Sequence, residues 1–343
     1  MKKCINMRIC HIAIGPANPF VWCKRFRDAL VDLGQFELVE HAGDWPEPRL
    51  AERMRQADVL VTSWGAASLP DTLIGNRGCL QYVHHVNGTV RGLVSTALLQ
   101  AGLPVSNGVI PGSYEVAEGA VCLLLAVMKD LHAHIQLVRR DGWRLDPLTT
   151  GGSLHGLNVG IYGFGAIGRR FAELLRPFGC NLRAFDPYVN DYPDYVTPVP
   201  TLTALFQDSQ AVCIHAALTD ATRVTVTREL LALLPQHGVL INTARGGIVD
   251  QAALFDELRT GRLRAGLDVL AGDGDDLPPG HEARTWENLI LTGHQIARGW
   301  PTDGQEPQRL HPVHEYTLEN LRRFREGEPI LSLLAVEVFS RST

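Results

Sequence analysis

The sequence predicts an α/β protein of two doubly wound units, the second inserted into a discontinuous first, and three observations carry that prediction. Strand-like and helix-like segments alternate from Ile9 to Ser106. A glycine-rich turn, Gly163-Phe164-Gly165-Ala166-Ile167-Gly168, follows a buried-looking strand only near the middle of the 343-residue chain. The alternation then resumes, and a last helical pattern follows Pro312, as if the chain returned to its first unit.

Taken in order, Ile9 to Ile14 reads as a strand, Val21 to Leu33 as a helix and Phe36 to Val39 as a strand. Helix Arg49 to Ala57, strand Val59 to Thr62, strand Leu80 to Val86, helix Gly92 to Gln100 and strand Pro104 to Ser106 complete the first alternation. The apolar-striped stretch Gly112 to Leu131 reads as a long helix into the next unit. There Leu157 to Tyr162 reads as a buried strand and Ala166 to Phe178 as a helix with Ile167, Phe171, Leu174, Leu175 and Phe178 on one face. Strands are expected at Leu182 to Phe185, Ala211 to Ala216, Val239 to Asn242, Arg264 to Val269 and Leu289 to Thr292. Between them lie helices such as Arg228 to Leu234 and Gln251 to Arg259, the latter with Asp250 as N-cap and Gly261 as stop. A final helix is expected over Glu315 to Phe324. The Pro/Gly-rich loops 272–280 and 300–312 read as exposed. The expected division is 1–118 with 305–343 for the outer unit and 119–304 for the inserted one.

Composition narrows the function. With 45% hydrophobic and 20% charged residues the chain is an ordinary globular protein. A net charge of -5 argues against nucleic acid as a partner, because binding it takes a concentrated basic surface. The longest uninterrupted apolar run, Ala120 to Met128, is too short to span a bilayer, so no membrane association is expected. The start, Met1 to Arg8, is basic without an apolar h-region, so no signal peptide is expected; Met7 is an alternative start. The seven cysteines form no C-x-x-C pair and several fall inside apolar strand or helix patterns, which points to reduced thiols in the cytoplasm. No metal-ligand cluster is legible, and the adjacent His84 and His85 would point to opposite faces of a strand.

The glycine turn is the first site with legible chemistry. Gly163 permits the sharp bend, Gly165 lets a pyrophosphate approach the backbone over Ala166 and Ile167, and Gly168 lets helix pack on strand. The pyrophosphate then lies over the free N–H groups of a helix N-terminus. At the end of the next strand stands Asp186, a carboxylate that accepts hydrogen bonds from ribose hydroxyls and repels a 2′-phosphate, so the expected cofactor is NAD (NADH). Three later segments sit at carboxyl ends of expected strands, where open α/β sheets bind ligands. Asn242-Thr243-Ala244-Arg245-Gly246-Gly247 places a guanidinium where it can hold a carboxylate through two parallel hydrogen bonds. Gly266-Leu267-Asp268-Val269 is followed by an acidic loop, and Leu291-Thr292-Gly293-His294 offers a histidine that a carboxylate partner would make a general acid.

In this order the segments resemble the D-isomer-specific 2-hydroxyacid dehydrogenases, over nearly the whole chain. The resemblance rests on the mid-chain fingerprint ending in Phe185-Asp186-Pro187-Tyr188, on His215-Ala216-Ala217-Leu218-Thr219-Asp220-Ala221-Thr222, on Asn242 to Asp250, on Gly266-Leu267-Asp268-Val269 and on His294. It implies two Rossmann-like or flavodoxin-like domains and reversible NAD-linked reduction of a 2-oxo acid to a D-2-hydroxy acid. Arg245 would bind the substrate carboxylate and polarise the 2-oxo group, and His294 would protonate that oxygen, oriented by an acid. Asp268 would lie near the nicotinamide and Val116 near its carboxamide, with Ala217, Thr243 and Ala244 as further cofactor contacts. Asn87, Gly88 and Thr89 would cradle the carboxylate in the outer domain, and a homodimer joined through the cofactor domains is implied.

Two departures stand out. The family's orienting acid is a glutamate, whereas no glutamate lies here between Asp268 and Glu282, leaving Asp273, Asp275 and Asp276. Matching Leu277-Pro278 to the family pattern selects Asp275; counting without a gap selects Asp273. Gly293 replaces the proline that precedes the family histidine. Arg298, four residues after His294, would share a helical face with it and bind a second anionic group of the substrate. A second reading, a nucleotide-sensing, corepressor-like protein with little turnover, rests on the changed acid. A short-chain dehydrogenase is disfavoured: its Tyr-x-x-x-Lys pair is absent, the lysines being Lys2, Lys3, Lys24 and Lys129.

Overall fold

In the computed structural model, which describes residues 7–143, 152–272, 275–297, 299 and 307–341, the chain divides into two units. One is Met1–Gly112 with Gly299–Thr343, the other Ser113–Arg298; the sequence reading sets these divisions at 118/119 and 304/305. The strands are β1 (Met7–Ile12), β2 (Gly34–Val39), β3 (Val59–Thr62), β4 (Tyr82–His85), β5 (Val105–Asn107), β6 (Asn158–Tyr162), β7 (Asn181–Phe185), β8 (Val196–Pro198), β9 (Ala211–Ile214), β10 (Gly238–Asn242), β11 (Leu263–Leu267) and β12 (Leu289–Leu291). The helices are α1 (Lys24–Leu33), α2 (Glu47–Arg55), α3 (Thr96–Gln100), α4 (Val109–Met128), α5 (Leu131–Arg139), α6 (Ala166–Leu175), α7 (Leu202–Gln207), α8 (Arg228–Leu233), α9 (Gln251–Arg259), α10 (Pro312–Glu326) and α11 (Val336–Arg341).

The first unit holds a parallel sheet in the order β2-β1-β3-β4-β5, the flavodoxin-like winding. Its inner strands are short and buried on both faces: every residue of β3 and β4 is buried, as a parallel sheet covered by helices requires, while the edge strand β2 stays partly exposed. One core cluster includes Leu60, Val83, Leu98 and Val105; the other includes Val59, Val61, Tyr82 and Phe26, with Val313 and Leu321 of α10. The C-terminal segment thus completes the core of the N-terminal sheet. His84 is fully buried and satisfied: Thr317 Oγ1 donates to Val313 O at 2.7 Å and so accepts from His84 Nε2 at 3.0 Å, while Nδ1 faces Ser106 Oγ at 2.8 Å. His85 meets Thr62 Oγ1 at 3.0 Å through Nδ1.

The second unit holds a parallel sheet in the order β12-β11-β10-β9-β6-β7-β8. The winding reverses between β6 and β9, the switch point at which such sheets bind ligands. Both units are Rossmann-like α/β domains with parallel sheets.

Several expected boundaries move, each for a local reason. The helix expected from Gly92 begins at Thr96, because Ser95 Oγ accepts the Leu98 N–H at 3.2 Å and caps it there. The helix expected from Val21 begins at Lys24, and that expected to Phe178 ends at Leu175, the last turn tightening to 3-10 geometry around Pro177 before Gly179 at φ 69°. The long helix ends at Met128, and Asp130, at φ 48°, breaks it from the unexpected α5. β8, α7 and α11 were likewise not anticipated. Asp250 caps α9 through the Ala253 N–H at 3.0 Å, and Gly261 takes φ 73° after it.

By length and composition alone α4 could cross a bilayer, an 18-residue window of it having mean hydropathy 1.4, a test that the core helix of a globular domain also meets. The apolar face has another use. Ala117, Ala120, Leu123, Leu124, Val127 and Met128 are buried in one core with Val159, Ile161 and Ile241 of the second sheet.

Candidate active site

The glycine turn has the geometry that its spacing implies. Gly163 takes φ 90°, and a Cβ there would stand 2.4 Å from the Ala216 backbone nitrogen, so the turn presses on the segment after β9. A Cβ on Gly168 would stand 2.2 Å from the Gly163 carbonyl oxygen, so helix and strand touch. Around Gly165, the N-cap of α6, nothing lies within 4 Å of a Cβ position, leaving the helix N-terminus with Ala166 and Ile167 approachable by an anion. At the end of β7, Asp186 Oδ2 accepts the Phe164 N–H at 2.8 Å and Oδ1 the Tyr188 N–H at 2.9 Å. The carboxylate is thereby held beside the turn, with its remaining lone pairs open to hydroxyl donors. Thr243, just after β10, has a buried Oγ1 without a hydrogen-bond partner, and Ala217, after β9, is half-buried. An open helix N-terminus, a close-packed glycine turn, an anchored carboxylate and an orphaned hydroxyl fit a dinucleotide.

A continuous chain of contacts runs from Arg245 to His294. Asn242, last in β10, accepts the Ala244 N–H and donates to Arg245 O, both at 3.0 Å, which folds the loop into a tight turn. Gly246 is obligatory: a Cβ there would stand 1.9 Å from the Leu270 carbonyl carbon. The Arg245 loop therefore lies on the Leu270 backbone, whose N–H donates to Asp275 Oδ1. The other oxygen, Asp275 Oδ2, lies 2.7 Å from His294 Nδ1. Arg245 is half-buried, its Nη1 donating to Ala244 O at 2.7 Å. Burial pushes its guanidinium down from the ordinary value and the Asp275 charge pushes it up; an arginine keeps its charge in either case.

Asp268 organises the turn that carries the histidine. It is 4% exposed, and its Oδ1 accepts from Thr292 Oγ1 at 2.6 Å, the Gln295 N–H at 2.9 Å and the Ile296 N–H at 3.1 Å. Its carbonyl accepts the His294 N–H at 2.6 Å. Gly293 takes φ 58° and His294 φ 59° in this turn. The Leu270 N–H is not legible in the sequence, because a backbone donor carries no side-chain signal, and the Thr292 hydroxyl gains its role only from the fold that brings Asp268 to it.

Of the three candidate acids, Asp276 serves elsewhere, accepting from Arg284 Nη2 at 2.7 Å, and Asp273 lies outside the described residues. Arg298 also lies outside them, and residues 293–297 form turns rather than the helix that was to align it with His294. Val116 is half-buried on α4. In the first unit Asn87 is buried and Gly88 and Thr89 half-buried just beyond β4. Asn107 Nδ2 donates to Gly88 O, and Asn87 Oδ1 accepts the Trp64 N–H at 3.4 Å.

Comparison with known proteins gives the family. A D-3-phosphoglycerate dehydrogenase of Methanocaldococcus jannaschii is 29% identical over 277 residues, covering 79% of this chain and 51% of the relative, so the chain spans about half that protein's length. A glyoxylate/hydroxypyruvate reductase of Arabidopsis thaliana is 28% identical over 277 residues, 78% of this chain and 80% of the relative. Among solved structures, an acyclic imino acid reductase in complex with NADPH and D-Arg matches with a TM-score of 0.77 at 22% identity, over 96% of this chain and 100% of that one, a likeness of fold. The family profile "D-isomer specific 2-hydroxyacid dehydrogenase, NAD binding domain" matches residues 121–295, the stretch that holds the glycine turn, Arg245, Asp275 and His294. On that match the chain belongs to the D-isomer-specific 2-hydroxyacid dehydrogenases.

Proposed function

We propose that this protein reduces a 2-oxo acid to a D-2-hydroxy acid, reversibly, with NADH. The observation that carries the reading is the 2.7 Å contact between His294 Nδ1 and Asp275 Oδ2, on a loop continuous with Arg245. The bound nicotinamide supplies the hydride. Arg245 binds the substrate carboxylate and draws electron density toward the 2-oxo oxygen. Asp275 accepts the Nδ1 proton of His294, which leaves Nε2 as the atom that gives its proton to that oxygen and takes it back in the reverse direction. In the first unit the turn Asn87-Gly88-Thr89 is assigned a share in carboxylate binding, and Arg298 is assigned to a second anionic group.

NAD rather than NADP is part of the proposal, supported by Asp186: a carboxylate anchored by two backbone N–H groups cannot swing away from a 2′-phosphate. So are a homodimer, supported by the exposed stripe Leu131, Ile135 and Val138 on α5, and a cytoplasmic location, supported by the buried free thiols of Cys10 and Cys213. The pairing of Asp275 with His294 favours turnover over the nucleotide-sensing reading, which rested on the missing glutamate. A panel of 2-oxo acids, including diacids and phosphonates, followed by NADH and NADPH absorbance tests the whole. Expected are oxidation of NADH in preference to NADPH and its loss in His294→Ala; NADH binding without turnover of any oxo acid would favour the sensor.

A further inference from the structure

Helix α4 carries a buried glycine, Gly119, in its interior, where alanine is the better helix former. The reason stands opposite it. A Cβ on Gly119 would lie 2.9 Å from the Ile296 carbonyl oxygen and 3.0 Å from Ile296 Cγ2, closer than side chains normally pack. Any side chain at this position must displace either the helix or the turn that holds His294.

The helix is the less free of the two. Toward its C-terminal half α4 lies on Gly266 of β11, where a Cβ would stand 3.2 Å from Leu123 Cβ and 3.3 Å from Val127 Cγ2. Two strand residues earlier, Arg264 is 5% exposed and donates to Val127 O and Asp130 Oδ1, both at 3.1 Å, binding the end of α4 to β11. The turn is held by hydrogen bonds more than by packing. It hangs from Asp268 by the contacts given above, and Ile296 is only half-buried against the core that α4 shares. Asp268 and α4 therefore grip the turn together, the carboxylate through hydrogen bonds and the helix through contact at a position without a side chain.

We propose that Gly119 is a positioning residue for His294: its missing side chain lets α4 rest against the Ile296 carbonyl, and this contact sets the turn where His294 Nδ1 meets Asp275. The inference rests on the assignment of His294 as the proton donor. A shift of the turn by a few tenths of an ångström leaves the dinucleotide turn at Gly163 untouched, because that turn is built on β6 and α6.

The test compares the wild-type protein with Gly119→Ala and with Gly119→Ala/Ile296→Gly. Three readouts are taken: kcat and NADH KM with a 2-oxo acid, thermal melting, and the imidazole signals of the 15N-histidine-labelled protein, those of His294 being assigned by their loss in His294→Ala. Gly119→Ala is expected to lower kcat about 10- to 100-fold, with NADH KM and melting temperature nearly unchanged and the His294 signals displaced. The double variant is expected to recover part of both kcat and signal position, because glycine at 296 removes Cγ2 and frees the turn to yield. Ile296→Ala, which loosens the same contact without adding atoms, is expected to lower kcat several-fold and serves if Gly119→Ala folds poorly. Unchanged kcat and signals, or equal losses in kcat, NADH affinity and melting temperature, would overturn the proposal. Absence of any 2-oxo acid turnover in the wild-type protein refutes the reductase reading instead, and the imidazole signals then decide the positioning role alone.

Discussion

Asp275 Oδ2 lies 2.7 Å from His294 Nδ1, and both residues hold left-handed backbone, at φ 52° and 59°. Neither is glycine, so each carries a local conformational cost that the surrounding hydrogen bonds must offset. For Asp275 the Leu270 N–H does so; for His294 the Asp268 carbonyl does. The shorter acid reaches the imidazole because its own loop is drawn in by the Leu270 backbone.

Removing the charge at 275 tests that arrangement. Asp275→Asn offers His294 Nδ1 an amide in place of a carboxylate, and kcat/KM is expected to fall about 100-fold or more, while NADH affinity stays within a factor of about two. Steady-state kinetics with isothermal titration of NADH measure both quantities. Full activity in Asp275→Asn would show that the contact is structural.

A strained valine offers a gain in stability. Val224 takes φ 52°, rare for a β-branched residue, and is held there by donating its N–H to Gly247 O at 2.9 Å. Its side chain is 46% exposed, so little burial is lost on replacement. Val224→Asn is expected to stabilise the protein by about 1 kcal/mol, the approximate cost of the left-handed region for an ordinary side chain. A urea midpoint that stays put or falls would count against the strain.

Five histidines set the acid limit of stability. Burial pushes His11 and His85 down to about 4 and His84, His215 and His314 down to about 3 from the ordinary 6.5. Above 6.5 both folded and unfolded chains keep them neutral; below it the unfolded chain takes up protons that the folded chain refuses. Stability present above 6.5 is therefore lost as the pH falls toward 4, by up to about 1.4 kcal/mol per pH unit for each group. Urea unfolding at pH 7, 6 and 5 reads this directly, and equal midpoints at 7 and 5 would contradict it.

The exposed face of α5 makes the oligomer testable. Leu131, Ile135 and Val138 recur at helical spacing and are 49%, 42% and 49% exposed, an apolar stripe that water disfavours. Ile135→Glu is expected to convert a dimer to a monomer in light scattering after gel filtration, without loss of secondary structure. A wild-type protein that already runs as a monomer would remove the proposal.

Local features were legible in the sequence because their physics is local. The spacing of Gly163, Gly165 and Gly168 encodes a bend, an opening and a close approach, and the structure has all three within a few residues of one another. Asp250 and Gly261 mark the ends of α9 by the same logic, and the doubly wound pattern follows from alternation of buried strands and one-faced helices. Elements with weak local signals escaped: β8 and α7 are short, and α5 lies beyond the single residue, Asp130, whose backbone breaks the long helix.

The tertiary structure alone decided which groups meet. Spacing left Asp273 and Asp275 as rival partners of His294, since a loop's path is not written in its length. The contact of Gly246 with the Leu270 backbone sets that path and brings Asp275 to the imidazole. Asp268, expected beside the nicotinamide, is seen to hold the 292–296 turn through hydrogen bonds with residues distant in sequence. Gly119 could not be read at all, because an absent side chain gains meaning only from what packs against it, here the carbonyl of Ile296.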